Sequence, residues 1–347
     1  MKWVCVGGDA AGGDAAALAD ALERQSVELG AGPAAIENIA KLRAGARAVV
    51  TGQQVGLLGG PLYVLLKAAT AIARAKQATA ATGVEHVAIF WLATEDHDLE
   101  EVDQVSLLSK TKVETLRLGV RSHAAPVGGV VLGDAVEGLL ERASELLGYA
   151  PVCDLLRECY GLQPENKDGQ TFGGAFARLM ARLFAEQGLI VMDAAGRDFH
   201  ALGAKTLGLA IERADELEAA LLARTTELEA AGYHAQVLVK AGSSLLFLVS
   251  EVEGAPGVKE RQALRRTADG AWKAGAGNGA KSYSTAELLG ILEREPERLS
   301  PNALLRPVFQ DTILPTTAYV GGPANLRMRC WRVRRSLRRR GITRRFW

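Results

Sequence analysis

Apolar positions along this chain fall into two patterns. Short unbroken runs, Ala48 to Val50 and Val87 to Leu92, have the length and the β-branched or aromatic content of buried strands. Between them, Leu62 to Ala81 is an apolar stretch with helical character, so the three segments together predict a βαβ unit. The alternation resumes downstream. Phe172 to Gln187 is amphipathic, with Phe176, Leu179, Met180 and Leu183 on one side and Gly188 as its C-terminal cap. Leu189 to Met192 is then a buried strand that ends at Asp193. Strands alternating with helices predict an α/β fold with a parallel sheet.

The remaining segments fit around that core. Residues 16 to 43 are helical, with Leu18, Leu22, Ile36, Ile39 and Leu42 on one face. Residues 104 to 132 suggest short strands with glycine-bearing turns, and Asp134 to Leu147 a helix. Residues 203 to 230, rich in helix formers, predict one long helix that serves packing or an interface. Val237 to Val249 suggests a hairpin broken at Gly242, and Gly254 to Gly279 a loop. Ser284 and Glu287 form a capping box ahead of a helix through Leu292. The expected organisation is an N-terminal helical segment over 1–46, a core over 47–323 with inserts near 104–150 and 236–285, and a separate tail over 324–347. No internal repeat is visible.

Polar chemistry sits where the strands end, the place at which open parallel sheets bind ligands. After the first strand comes Thr51-Gly52-Gln53-Gln54-Val55-Gly56-Leu57-Leu58-Gly59-Gly60-Pro61-Leu62-Tyr63. Its glycines allow a tight turn and close approach of a ligand, and Pro61 suits the first position of a helix. The N–H groups of such a helix start favour an anion, so one reading is a phosphate cradle; the other is a tight turn with no ligand. The amides of Gln53 and Gln54 can orient a bound group, while Lys67 on the following helix reaches either a phosphate or solvent. The run matches neither the Walker pattern nor G-x-G-x-x-G.

After the second strand, Glu95-Asp96-His97-Asp98 packs three carboxylates and an imidazole together, with Glu100, Glu101 and Asp103 close behind. Such a cluster suits a general base, an amine binder or a metal site. Successive strand residues point to opposite faces, so at most alternate members are expected to share one site. The bland alternative is a solvated acidic turn that opens a helix at Leu99. A third cluster spans Ser300 to Pro323. Arg306 precedes a proline and is biased to extended backbone; its guanidinium can clamp a carboxylate or phosphate. Asp311, beside Gln310, can hold Arg306, a substrate amine or Mg²⁺, with a buried Arg–Asp structural pair as the alternative. Gly321-Gly322-Pro323 supplies a further turn with backbone donors, and Asp193 is either ligand-facing or a helix cap. His86, His123, His200 and His234 have no identifiable partners and are read as surface or core histidines.

Composition narrows the class. The 347 residues permit a substantial core, and 48% hydrophobic content is ordinary for a globular chain. No apolar run reaches the length of a membrane span, and the opening MKWVCVGG lacks a signal-peptide design, so the expected location is cytoplasmic, with no membrane partner. Cys5, Cys153, Cys159 and Cys330 lack metal-ligand spacing and are expected to be reduced thiols, with no metal ligands among them. The net charge of +1 hides a split: the last 24 residues carry ten arginines and no acid, leaving 31 basic and 40 acidic residues in the first 323. An acidic body argues against a nucleic-acid enzyme.

These runs, in this order, resemble the BshC family, the cysteine ligases of bacillithiol biosynthesis. The resemblance covers Val50-Thr51-Gly52-Gln53-Gln54, Gly60-Pro61-Leu62-Tyr63 with Lys67, Phe90-Trp91-Leu92 with Glu95 to Asp98, and Gly188 to Asp193. It continues through Ser300-Pro301-Asn302, Leu305-Arg306-Pro307, Gln310-Asp311, Leu314-Pro315 and Tyr319-Val320-Gly321-Gly322-Pro323. It implies a Rossmann-like core related to nucleotidylyl transferases, connecting inserts, a helical coiled-coil arm and a homodimer. It also implies the final pathway step, which joins cysteine to the amine of glucosaminyl-malate. ATP is then the expected activating nucleotide, with Mg²⁺ as a candidate companion. Within this frame His97, Asp96 and Asp98 are candidates for the amine-side base, and Arg306 for the carboxylate clamp. Thr51, Gly52, Gln53, Gln54, Gly60, Tyr63, Lys67, Glu95, Gln310, Asp311, Gly321 and Gly322 are candidates for substrate and nucleotide binding. The family pattern stops at Pro323, and the arginine and tryptophan burst beyond it reads as a frameshifted or truncated end that lacks the arm. The rival readings are a nucleotidylyl transferase acting on another small acid, and a nonfunctional fragment or basic-tail interaction protein.

Overall fold

The computed structural model describes residues 4–5, 13–109, 111–120, 125–162, 170–233, 237, 239–252, 259–275 and 280–322. The arginine-rich tail, Pro323, His123, His234 and Cys330 lie outside them. Strands β2 (Arg47–Gln53), β3 (His86–Leu92), β6 (Ile190–Asp193) and β12 (Thr316–Gly321) run parallel, and β1 (Val4–Cys5) pairs antiparallel with β12. The spatial order is β1-β12-β2-β3-β6. From β2 the chain steps outward to β3 and β6, then returns to place β12 on the other flank of β2. The topological switch point therefore lies between β2 and β12, beyond Gln53 and Gly321.

Helices cover both faces, which is why the strands read as continuous apolar runs. Ala48, Val50, Val87, Ile89, Trp91, Ile190 and Met192 face one core. That core is completed by α1 (Ala15–Glu28), α2 (Pro33–Arg43), α8 (Arg197–Glu212), α10 (Thr285–Arg294) and α11 (Arg306–Ile313). Val49, Ala88, Phe90, Leu92 and Val191 face the other, against α3 (Tyr63–Thr82), α5 (Ala135–Leu147), α6 (Ala150–Tyr160) and α7 (Phe172–Leu183). Leu18, Leu22, Ile39 and Leu42 of the N-terminal segment thus share a core with the sheet.

Several elements differ from expectation. The helical stretch over 16–43 is two helices, separated by Gly30 in left-handed backbone (φ 64°) and by Pro33 at the start of α2. The long helix over 203–230 is also two, α8 and α9 (Ala214–Ala230), with Arg213 at the break (φ −111°). Helix α7 ends at Leu183, ahead of Gly188. Over 104–132 the structure has one hairpin, β4 (Gln104–Leu108) with β5 (Val113–Arg117), then a 3₁₀ turn at Val127–Gly129.

The largest difference is a second, antiparallel sheet of order β10-β9-β8-β7-β11. It comprises β7 (Ser243–Glu251), β8 (Lys259–Arg266), β9 (Trp272–Ala274), β10 (Lys281–Tyr283) and β11 (Leu299–Pro301). The hairpin expected within 237–249 is therefore wrong: Gly242 (φ 78°) precedes a single strand whose partners are β8 and β11. The loop expected over 254–279 is wrong for β8 and β9. Those strands expose much of their length and bury only Arg261, Leu264, Trp272 and Ala274, so their apolar signal is sparse. The capping box forms as expected: Ser284 Oγ accepts from Glu287 N, and Glu287 accepts from Ser284 N. No helix among the described residues is long and apolar enough to cross a membrane.

Candidate active site

The turn after β2 is held from inside. Lys67 lies on the buried face of α3, only 2% exposed. Its Nζ donates to Gly52 O and, at 3.0 Å, to Gln53 Oε1. It takes neither of the positions expected for it, solvent or a phosphate, and instead braces the end of β2. Burial lowers its pKa; the neighbouring Tyr319 opposes that shift and the Arg306 charge adds to it. Gly52 is required by strand proximity, since a Cβ there would lie 2.5 Å from Trp91 O. Leu58, Gly59 and Gly60 all have positive φ (49°, 92° and 68°). The fully buried Tyr160 staples this loop: its hydroxyl donates to Gly56 O (3.2 Å) and accepts from Gly59 N (3.2 Å). Gly60 N donates to Leu57 O at 3.0 Å, so both glycine amides are turned inward. Pro61 stands two residues ahead of α3 rather than at its first position. Gln53 Nε2 donates to Tyr63 Oη (3.1 Å), and Thr51 Oγ1 donates to Val320 O (2.8 Å), tying β2 to β12 at the switch point.

The two polar runs meet through Gln54. Its Nε2 donates to Asp96 Oδ2 (2.7 Å) and Glu101 Oε2 (3.0 Å). Asp96 Oδ1 accepts from His97 N at 2.8 Å and stands 3.8 Å from His97 Nδ1. His97 is exposed and lies beside Phe247, ring centroids 6.0 Å apart. The alternation expected of strand residues does not apply here, because β3 ends at Leu92 and the chain turns. Glu95, Asp96 and His97 consequently line one cavity, while Asp98 is exposed, lies outside that lining and precedes the short helix α4 (Leu99–Val102) without a capping bond.

That cavity, about 430 Å³, lies between the 93–97 turn, β7, β8 and the 301–306 turn. Two cations that reach it differ in kind. Arg261 is buried, stacked 3.8 Å from the Phe247 ring centroid, with Nε donating to Ser300 Oγ (3.0 Å) and Nη2 to Pro301 O (3.1 Å). Burial lowers its pKa, opposed by the charges of Glu95 and Asp96. Arg306 lines the same cavity with no hydrogen-bond or ion-pair partner for its guanidinium among the described residues. It opens α11 rather than adopting extended backbone, because Asn302 Oδ1 caps Leu304 N (2.9 Å) and Leu305 N (3.0 Å) and so turns the chain into the helix.

Arg306 does not pair with Asp311. Gln310 and Asp311 are buried on α11, where Gln310 Nε2 contacts Asp311 Oδ1 (3.5 Å) and Thr316 Oγ1 (3.4 Å) beneath the start of β12. Gly321 and Gly322 lie at the other end of β12, at the switch point with Thr51, Gly52, Gln53, Gly60 and Tyr63. The sequence-derived residues thus form a cavity group and a switch-point group, bridged by Gln54.

His200, read from the sequence as a surface or core histidine, is a core one, and its partners come from distant segments. It is fully buried on α8, with Nδ1 donating to Leu299 O (2.8 Å) and Pro296 O (3.1 Å). Nε2 stands 3.0 Å from Glu95 Oε1, an ion-pair contact off the line of a straight hydrogen bond. Burial opposes its charge, but Glu95 and the two carbonyls outweigh that and raise its pKa. Asp193 is spoken for: Oδ1 accepts from Thr94 Oγ1 and Ala195 N, and Gln25 pins its backbone, while desolvation raises its pKa. Cys153 and Cys159 are buried free thiols, and burial pushes Cys159 up to about 11. Among the described residues, no three or more His, Cys, Asp or Glu side chains converge as metal ligands.

Comparison with known proteins agrees with this architecture. Residues 9–331 match the family model for the bacillithiol biosynthesis BshC N-terminal Rossmann-like domain, running past Pro323. The protein named "Putative cysteine ligase BshC" in Koribacter versatilis is 43% identical over 312 residues, 89% of this chain and 55% of the relative. Its namesake in Solibacter usitatus is 39% identical over 293 residues (81% and 50%). That of Geobacillus kaustophilus is 32% identical over 317 residues (90% and 56%). The chain spans about half the length of these curated relatives. With its Rossmann-like sheet and a family match over most of its length, the chain belongs to the BshC family.

Proposed function

We propose that this chain carries the Rossmann-like domain of a ligase that joins the carboxylate of cysteine to the amine of glucosaminyl-malate, driven by ATP. The observation that carries this reading is the cavity, which holds a carboxylate-backed imidazole (Asp96, His97), a further carboxylate (Glu95) and two guanidiniums (Arg261, Arg306). Amide formation needs a carboxylate held in place, an amine relieved of its proton and developing negative charge matched by fixed positive charge. Arg306 supplies the uncommitted guanidinium for the carboxylate. His97, whose Nδ1 stands 3.8 Å from Asp96 Oδ1, takes the proton as the amine nitrogen forms the C–N bond and the leaving group departs from the carboxyl carbon.

ATP supplies that leaving group, and the switch point between β2 and β12 is the place this fold offers a nucleotide. Lys67 and the inward amides of Gly59 and Gly60 are committed within the protein, so they do not serve its phosphates. Mg²⁺ has no protein cage among the described residues and accordingly enters with the phosphates.

The test is incubation of the full chain with L-cysteine, glucosaminyl-malate and Mg·ATP, followed by mass spectrometry of the products. The amide is expected, and His97→Ala lowers its rate by about 10²–10⁴-fold. Undiminished turnover in that variant removes the role of His97. Pyrophosphate with a stable nucleotidyl product and no amide replaces the ligase with a nucleotidylyl transferase.

A further inference from the structure

We propose that Glu95, held by the buried His200, accepts the α-ammonium of the amino-acid substrate and keeps that amine apart from the one His97 deprotonates. This rests on the ligase reading and deepens it. Joining an amino acid through its carboxylate puts two amines in one site. The acceptor amine must lose a proton to attack. The α-amine of the activated amino acid must stay an ammonium, or it too becomes a nucleophile.

The cavity offers two carboxylates of unlike standing. Both oxygens of Asp96 are occupied, Oδ2 by Gln54 and Oδ1 by His97 N. Glu95 commits only Oε1, to His200 Nε2 at 3.0 Å. Its Oε2 has no hydrogen bond among the described residues, and the side chain, 17% exposed, opens on the cavity. His200 Nδ1 donates to the carbonyls of Leu299 and Pro296, so it carries a proton. Nε2 faces a carboxylate; burial opposes the ring's charge, but Glu95 and the two carbonyls outweigh it and raise the ring's pKa. A buried ion pair of this kind adds little stability over apolar side chains of the same volume. It does place one oriented carboxylate at the cavity wall, and a carboxylate favours the ammonium form of whatever amine it holds. His200 is a positioning residue, since it lies wholly beneath the surface and acts through Glu95.

The experiment compares L-cysteine with 3-mercaptopropionate, which lacks only the α-amine, by calorimetric titration of the full chain. Wild type is expected to prefer L-cysteine by about tenfold or more, the worth of one hydrogen bond to a charged group. Glu95→Gln binds the two thiols alike. His200→Gln narrows the preference while leaving 3-mercaptopropionate affinity within about twofold, which a merely structural role for His200 would not produce. If Glu95→Gln does not fold, Glu95→Asp keeps the charge on a shorter arm and is expected to give an intermediate preference. A wild-type preference retained in the Glu95 variant overturns the assignment alone. Wild-type protein that binds neither thiol overturns the ligase reading and the assignment with it.

Discussion

Replacing His200 with glutamine should change stability in a pH-dependent way whose sign follows from the contacts. In the folded protein Glu95 stands 3.0 Å from Nε2 and two carbonyls accept from Nδ1, contacts that favour the charged ring. The other groups packed against it are the Phe309 ring, centroid 5.4 Å away, and Asp193, close enough to feel its charge. Burial opposes ionisation, yet the net shift is upward from the ordinary histidine value. A group whose folded pKa is raised contributes stability that is complete below its unfolded pKa and disappears as pH climbs through the folded one. Removing one partner of a buried pair costs about 3–5 kcal/mol, so the wild-type advantage over His200→Gln should be of that size near pH 6. Above the unfolded pKa it should shrink by about 1.4 kcal/mol for each pH unit until the folded pKa is passed. Urea denaturation of both proteins at pH values from 6 to 9, followed by tryptophan fluorescence, measures the difference directly. Titrations shared by both chains largely cancel in that subtraction. A difference that is flat across the range, or that widens with pH, refutes the charged ring.

Two further substitutions test the packing around the site. Gly203→Ala would put a Cβ 2.0 Å from Phe309 Cε2, and that ring is locked edge-on to Trp91 (6.4 Å), so a loss of about 1–3 kcal/mol is expected. Combining it with Phe309→Leu should recover part of the loss, and strict additivity in thermal melts would refute the clash. Tyr160→Phe removes both hydroxyl contacts to the glycine turn and should cost about 1–3 kcal/mol while making residues 54–62 more susceptible to limited proteolysis. Unchanged cleavage would show that the staple is dispensable.

The parallel core was legible because doubly covered strands announce themselves as apolar runs, and β2, β3 and β6 lie where those runs are. The Ser284 cap was legible too, since its partner Glu287 lies three residues on. The second sheet was not. Strand β8, Lys259-Glu260-Arg261-Gln262-Ala263-Leu264-Arg265-Arg266, carries charge at most positions, and its one buried arginine is satisfied by Phe247, Ser300 and Pro301 from other strands. His200 was illegible for the same reason: its partners are Glu95, Pro296 and Leu299, none of them near it in sequence. Lys67 and Arg306 show the converse. Each was singled out by position, but only the three-dimensional neighbours decide that Lys67 is consumed by Gly52 and Gln53 while Arg306 is left uncommitted.

That division bears on how the proposed nucleotide site and the proposed condensation site can share one sheet end. The switch point lies between β2 and β12, whereas the cavity lies beyond β3 and against the second sheet. Two links cross from one to the other. Gln54 leaves the end of β2 and hydrogen-bonds Asp96, which in turn accepts from the backbone N–H of His97. Lys67, bound to Gly52 O and Gln53 Oε1, lies close enough to Arg306 for the two charges to repel. An anion held beside both cations would relieve that repulsion. On the proposed ligase reading, Gln54 joins the end of β2 to the turn that carries His97, the kind of coupling a ligase needs if it is to free an amine only when an activated carboxylate is in place.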